Sequence, residues 1–350
     1  MIQRWLLITG LLGVLLTPQS YAASTLNLQP ASMRTECVGR YEVTVPGKVE
    51  VAVQSVQHWF SEVLSDAYRF SDDSVAPFST GPDITNTLSL QQFSDIQSKT
   101  FARFQNTIQE LKNARNFEIA NSLKVFPIPT VHGFAFQNNN GISVTMYFNS
   151  RIHTFAADNK QEVLNTLNSL HPRALYEIPT QPGVCSPYVF FLDDGNKTRN
   201  VGVTMRLIDH PDVEIFFQDS SYPFGYEVKT NNPETQLNAF WDNVGRIRDS
   251  IKYIDMDWHR YRDVNIAGIH GKGTFVTITN KDESKDYGYC AYAISTPEIN
   301  VIADNKRVYV IRTAARAKAK GIEPVSKDDI KAIAESVMAS IKRHPVSPGN

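Results

Sequence analysis

The sequence predicts an α+β protein of two domains, each a mainly antiparallel sheet packed with helices, with a cleft between the domains. Three observations predict it. Short runs in which apolar and polar residues alternate occur on both sides of residue 180, the pattern of strands with one buried face. Between them stand segments whose apolar residues recur every three or four positions, as on one face of a helix. The two patterns do not take turns regularly, so the strand–crossover–strand order of a doubly wound parallel sheet is missing.

The chain opens with a short charged stretch, Met1–Arg4, and an apolar run, Trp5–Leu16, broken by Gly10 and Gly13. Pro18-Gln-Ser-Tyr-Ala22 then sets the small residues Ser20 and Ala22 before Ala23. Residues 1–22 read as a cleaved secretory signal, because the apolar run is shorter than the ~18 residues a membrane span needs. Cys37 lies too far beyond the cleavage site for a lipid anchor. The mature protein is expected to be soluble, in the periplasm of a Gram-negative host. Residues 23–36 are small and polar and are expected to be mobile. Roughly 330 residues remain, enough for two domains of ordinary size.

The first domain is expected over residues 37–180. Its opening strand is Cys37-Val-Gly-Arg-Tyr-Glu-Val-Thr-Val-Pro46, with a Gly-Arg entry, alternation at Tyr41, Val43 and Val45, and a proline stop. After the Pro46-Gly47 turn and an extended piece over Val49–Val53, Val56, Trp59, Phe60, Val63, Leu64 and Ala67 mark a helix. Residues 71–95, rich in Ser, Asp, Pro and Thr, read as a long exposed loop. Phe101, Phe104, Ile108 and Leu111 mark the buried face of a second helix, opposite Arg103, Gln109 and Lys112. Asn138-Asn-Asn-Gly141 is a turn between apolar runs at 131–136 and 142–148, hence a hairpin. A short helix over Glu162–Leu170 precedes the Pro- and Gly-rich linker Glu177–Gly183.

The second domain is expected over residues 181–345. Val201, Val203, Met205 and Leu207 alternate on one strand and Val213, Ile215 and Phe217 on the next, with Asp209-His-Pro-Asp212 as the turn. A helix from Glu234 carries Leu237, Phe240, Trp241, Val244 and Ile247 on one stripe. Strands follow at Thr274–Thr279, Tyr287–Ile294 and Arg307–Arg312. Ser326-Lys-Asp-Asp329 is a capping-box-like start for a last helix with Ile330, Ile333, Val337, Met338 and Ile341 buried.

Charge and motifs exclude several classes of function. The 35 Lys and Arg balance 36 Asp and Glu without a basic stripe, so neither nucleic acid nor an anionic membrane is the indicated partner. There is no Gly-x-Ser-x-Gly nucleophile elbow, His-Glu-x-x-His or paired Cys-x-x-Cys. Gly268-Ile-His-Gly-Lys-Gly273 fits neither phosphate-loop spacing and reads as a hairpin turn. His210 between two Asp reads as a turn residue rather than a base. Asp255-Met-Asp-Trp-His259 reads as a solvated connection, although a helix there would bring Asp255 and His259 onto one face. No catalytic residue, cofactor or metal is expected. If exposed, Trp258, Arg260, Tyr261 and Arg262 are residue types suited to a protein-contact hot spot. The aromatic run Phe216, Phe217, Tyr222, Phe224 and Tyr226 reads as core before it reads as a presented loop.

The segments Cys37–Pro46, Gly183-Val-Cys-Ser-Pro-Tyr188 and Val203–Ile215 together resemble the periplasmic immunity proteins that neutralise lipase effectors of the type VI secretion system, specifically the fourth lipase class. The resemblance implies two domains that grasp a phospholipase effector around its lid, and a function that needs no catalytic group. It places Cys37 and Cys185 in the two family-like segments and so implies a disulfide between them, with Cys290 a buried thiol; pairing of Cys185 with Cys290 is the competitor. Partner contacts are expected in the inter-domain cleft and in loops such as 71–95 and 218–232. Residues 71–115 have no clear counterpart in the family. The other classes are a periplasmic lipid- or sugar-binding module and an enzyme whose site would lie around His210 or His259.

Overall fold

The computed structural model describes residues 32–54, 68–76, 78–79, 83–128, 132–139, 141–193, 198–222, 232–257, 260–295 and 303–344. The expected signal segment and the expected helix at Val56–Ala67 lie outside them, as do Trp258, His259, Phe224 and Tyr226.

The described chain starts with a hairpin of β1 (Met33–Val38) and β2 (Tyr41–Pro46), followed by β3 (Val49–Val51) and β4 (Val53–Gln54). Three short strands come next, β5 (Tyr68–Arg69), β6 (Val75–Ala76) and β7 (Asp83–Ile84). Helices α1 (Leu90–Asn113) and α2 (Phe117–Ser122) lead into β8 (Lys124–Pro127), β9 (His132–Asn138), β10 (Gly141–Phe148) and β11 (Arg151–Ala157), and then α3 (Lys160–Ser169). β12 (Leu170–Pro172), β13 (Gly183–Ser186) and β14 (Val189–Leu192) precede the long strands β15 (Asn200–Leu207) and β16 (Val213–Tyr222). After α4 (Pro233–Ile247) come β17 (Ile251–Met256), β18 (Arg262–Ile266), β19 (Ile269–Asn280), β20 (Lys285–Ile294) and β21 (Ala303–Arg312). The last elements are α5 (Ala314–Ala319), α6 (Lys327–Ser340) and β22 (Lys342–Arg343). The architecture is α+β, as expected.

A large antiparallel sheet runs in the order β17-β19-β20-β21-β16-β15-β3, with β18 also paired to β19. On one face, Tyr41, Val43 and Val45 of the β1–β2 hairpin pack with Ile330, Ile333 and Val337 of α6 against Val203, Ile215 and Phe217. On the other, Leu237, Phe240, Trp241 and Val244 of α4 cover Phe216, Val276, Ile278, Tyr309 and Ile311. Because both faces are covered, β15 is buried from Val201 to Leu207, and the alternation at Val201, Val203, Met205 and Leu207 describes one of its two buried faces. A smaller sheet, β7-β11-β10-β9-β8, is sandwiched in the same way. Phe93 and Phe101 of α1 meet Phe134 and Ile152 on one face, and Val163 and Leu167 of α3 meet Ile142 and Val144 on the other.

Local signals place the helix ends. Ser89 and Gln92 form a reciprocal capping box ahead of α1. The Ser326 hydroxyl accepts from the Asp329 amide at 3.1 Å at the start of α6.

Several expectations are corrected. Residues 33–36 are not mobile but paired with β2 from Arg34↔Val45 to Glu36↔Val43, and Gly39-Arg40 is the turn of a hairpin rather than the entry to a strand. The supposed loop 71–95 contains β6, β7 and the start of α1, and its Phe78 packs against Phe216, Phe240 and Tyr309. Ile247 falls off the buried stripe of α4 and is 55% exposed. Asp255 lies on strand β17 and not on a helix, while His259 lies outside the described residues. In Gly268–Gly273 the turn is Ala267-Gly268, while Gly271 and Gly273 are inside β19, where a Cβ would strike the Tyr292 carbonyl at 2.2 Å and the Tyr289 hydroxyl at 2.0 Å.

The cores also cross the division drawn at residue 180. β3 pairs with β15, β22 pairs with β2, and the β1–β2 hairpin belongs to the large sheet's core. The smaller sheet is built from residues between β7 and β11.

Candidate functional site: a cleft between the two sheets

The chain passes twice between the two sheets, and the passages build the cleft. Beyond β3, the Ala52 amide donates to the Thr204 carbonyl at 3.0 Å, still on the large sheet. Two residues later Gln54 bridges Thr85 in parallel, and its carbonyl accepts from the Asn86 amide at 3.1 Å, now against the small sheet. The return is made by β12, which pairs with β14. The hollow between has a volume of ≈ 510 Å³ and is walled by Glu50, Gln54, Arg69, Asn86, Arg151 and Tyr188 among others.

Arg151 comes from the small sheet. It follows a two-residue hairpin turn in which Asn149 and Ser150 have φ of 50° and 58°, the type I′ arrangement that suits the twist of paired strands. Its guanidinium lies 3.7 Å from the centroid of the Tyr188 ring, and Nη1 donates to the Thr85 carbonyl at 2.7 Å. Burial pushes its pKa down, and no carboxylate among the described residues opposes that. Tyr188 arrives from the turn between β13 and β14. Its φ of 64° is unusual for a bulky residue, a conformation costing about 1–3 kcal/mol and maintained only by its surroundings. The Tyr188 carbonyl accepts from the Arg173 amide at 3.2 Å.

The other acidic and basic groups nearby satisfy one another. Arg206, buried, donates to Glu50 at 2.9 Å and lies 3.0 Å from Asp72, with its guanidinium 4.0 Å from the centroid of Phe70. Burial disfavours the Glu50 carboxylate, but hydrogen bonds from Ser71 and Arg206 outweigh it and bring its pKa below the usual range; Asp72 is pulled down in the same way by Arg206 and Ser74. Arg69 lies 3.6 Å from Asp73. From Glu50 and Ser71 the cleft continues into a second hollow of ≈ 540 Å³ lined by Leu207, Ile208, Pro211 and Ile322, where Ile208 is 55% exposed.

The first segment singled out in the sequence acts as an anchor. Gly39 has φ 60°, and a Cβ there would lie 2.4 Å from the Asp219 carboxylate. The Arg40 amide donates to Asp219 at 2.9 Å, and its Nε donates to Asp193 at 2.7 Å. Asp219 also accepts from Arg199 at 2.5 and 2.8 Å and from Lys306 at 2.6 Å, all buried. Gly39 and Cys185 exchange both backbone hydrogen bonds, and Cys37 and Cys185 form a disulfide with Cα atoms 5.6 Å apart. Cys290 is free and buried, and burial pushes its thiol up to about 12.

The other residues singled out in the sequence lie elsewhere. Arg260 is exposed, Tyr261 is partly buried with its hydroxyl donating to Asn238 at 2.7 Å, and Arg262 sits 3.9 Å from Asp257. They flank β18, at the end of the large sheet opposite β3 and the cleft. Asp212 is buried and accepts from the Val325 amide at 2.9 Å; burial raises its pKa, and the turn with His210 ties the strands to α6. Phe216 and Phe217 are core. The sequence gives Arg151 no part in a site and names Tyr188 only as the end of a family-like segment; their local signals are the polar Asn149-Ser150 turn and the Pro187-Tyr188 corner.

Residues 177–300 match the family model of the Tle cognate immunity protein 4 C-terminal domain. No curated protein matches the chain. Among solved structures, that of the Tle4–Tli4 complex is similar with a TM-score of 0.56 and 15% identity, covering 91% of this chain and 100% of that one. The immunity protein TplEi of the type VI secretion system from Pseudomonas aeruginosa, complexed with "L" peptide, is similar with a TM-score of 0.54 and 14% identity, with the same coverage. Residues 177–300 are thus similar to the Tle cognate immunity protein 4 C-terminal domain, and nine-tenths of the chain shares its fold with solved immunity proteins, in agreement with the resemblance seen at Cys37–Pro46 and Gly183–Ile215.

Proposed function

We propose that this protein is an immunity protein that binds a Tle lipase effector of the type VI secretion system in the periplasm and keeps it from attacking the cell's own phospholipids. The match of residues 177–300 to the Tle cognate immunity domain carries this reading. In it, the two sheets grip the lipase around its lid and the cleft receives part of it. Restraining a lid blocks catalysis without any chemistry by the inhibitor, because the lid must open before lipid reaches the active site. Protection of the producing cell calls for tight binding, with nanomolar affinity corresponding to about 12 kcal/mol. Arg260, Tyr261 and Arg262, at the far edge of the large sheet, together with Trp258 of the same segment of sequence, are a second proposed contact region.

The test is protection. A Tle4-type lipase from the same strain, directed to the periplasm, is expressed with and without this protein. Rescue of growth and a one-to-one complex on purification are expected; killing that this protein does not relieve, with no complex formed, overturns the proposal.

A further inference from the structure

Arg151 is a half-buried cation with no counter-ion among the described residues. Its neighbours are the Tyr188 ring at 3.7 Å and the Thr85 carbonyl at 2.7 Å, and burial pushes its pKa down with no described carboxylate to offset it. The other charges of the cleft wall are already matched, Glu50 by Arg206 and Arg69 by Asp73. A stacked arginine with unused donors facing an open hollow is built for a planar, bidentate carboxylate. The hollow of ≈ 510 Å³ has room for a side chain presented on a loop. The apolar hollow that continues from Glu50 past Ile208 gives such a loop a second, greasy foothold.

We propose that the cleft takes an acidic loop of the partner protein, with an Asp or Glu of that loop paired to Arg151. This rests on the immunity reading, which supplies a protein partner; it adds the partner's chemistry and the residue that recognises it. Tyr188 acts through Arg151 as a positioning residue: its ring fixes the plane in which the guanidinium meets the incoming carboxylate.

Arg151→Gln and Arg151→Lys, in the full mature chain, are titrated against the lipase used in the protection test, at several salt concentrations, with Lys318→Gln as a control outside the cleft. Loss of one partner from a desolvated charge pair predicts roughly a 30-fold or greater rise in Kd for Arg151→Gln, a smaller rise for Arg151→Lys, and a shallower dependence of Kd on salt for Arg151→Gln. Circular dichroism and the thermal midpoint report whether the variants fold; if Arg151→Gln does not, Arg151→Lys carries the test. Neutralising the acidic residues of the lipase one at a time should expose one whose loss weakens wild type but adds nothing to Arg151→Gln. If Arg151→Gln binds within about twofold of wild type with an unchanged salt slope, the carboxylate assignment is wrong while the immunity reading stands. If wild type binds no lipase, the immunity reading fails and this inference falls with it.

Discussion

Asp219→Asn is the sharpest perturbation the structure offers, because the change is nearly isosteric and removes one charge at a node. Asp219 is fully buried and accepts from Arg199, Lys306 and the Arg40 amide. Lys306 is fully buried too, and beyond Asp219 it meets the Asn305 carbonyl at 3.5 Å, the Tyr41 ring at 4.4 Å and Asp304 at 3.9 Å. Stripping the partner from a buried charge costs about 3–5 kcal/mol, against a total stability of about 5–15 kcal/mol for a typical domain. At roughly 2 °C per kcal/mol for a chain of this size, the thermal midpoint should fall by about 6–10 °C. Lys306→Met is the companion. It leaves Asp219 with Arg199 and the Arg40 amide and puts an apolar chain on the Tyr41 ring, so the expected cost is under about 2 kcal/mol.

Urea unfolding followed by tryptophan fluorescence measures both variants. A pH series adds a second check. Burial disfavours the Asp219 carboxylate, but Lys306 and Arg199 more than offset this and hold its folded pKa below the usual range. A depressed carboxylate contributes stability that is fully present above its unfolded pKa near 3.9 and is lost as pH falls through the folded value. The gap between wild type and Asp219→Asn should therefore close below about pH 4. The reasoning is refuted if Asp219→Asn costs less than about 1 kcal/mol, or if Lys306→Met costs as much as Asp219→Asn.

Three further outcomes are expected. Gly39→Ala forces a Cβ to 2.4 Å from Asp219 at a positive φ, so it should destabilise by about 3 kcal/mol or more in the same unfolding assay, whereas Gly268→Ala, with φ of 89° but open space around its Cβ, should cost only the backbone strain of about 1–2 kcal/mol. Replacing Cys37 and Cys185 by serine opens a loop spanning 148 residues of sequence, worth about 5 kcal/mol in the chain-entropy account, and calorimetry of the reduced and oxidised protein should show a loss of that order. His153 is buried, and burial lowers its pKa to about 4. The folded state thus resists protonation that the unfolded chain accepts, and stability should fall by up to about 3 kcal/mol as pH drops from about 6.5 to about 4, a slope that His153→Gln should flatten.

What the sequence determined by itself is what depends on neighbours along the chain. The strand periodicity of Val201–Leu207, the helix stripe of Ile330–Val337, the Ser326 cap and the hairpin pairing of β9 with β10 each depend on a few nearby residues, and each appears in the structure. The α+β class follows from their order. Periodicity gives the repeat of an element without naming its partner. For this reason the sequence could not show that β3 joins the large sheet beside β15, that β22 returns to β2, or that both faces of β15 are covered. The same limit applies to the cleft. Arg151 and Tyr188 stand 37 positions apart and look like an ordinary turn neighbour and an ordinary aromatic until the two hairpins meet and stack them. Gly39 likewise reads as the start of a strand; only the approach of Asp219, 180 residues away, shows why no side chain fits there. Those contacts were decided by which surfaces had to be buried together, and that is settled only when the whole chain is folded.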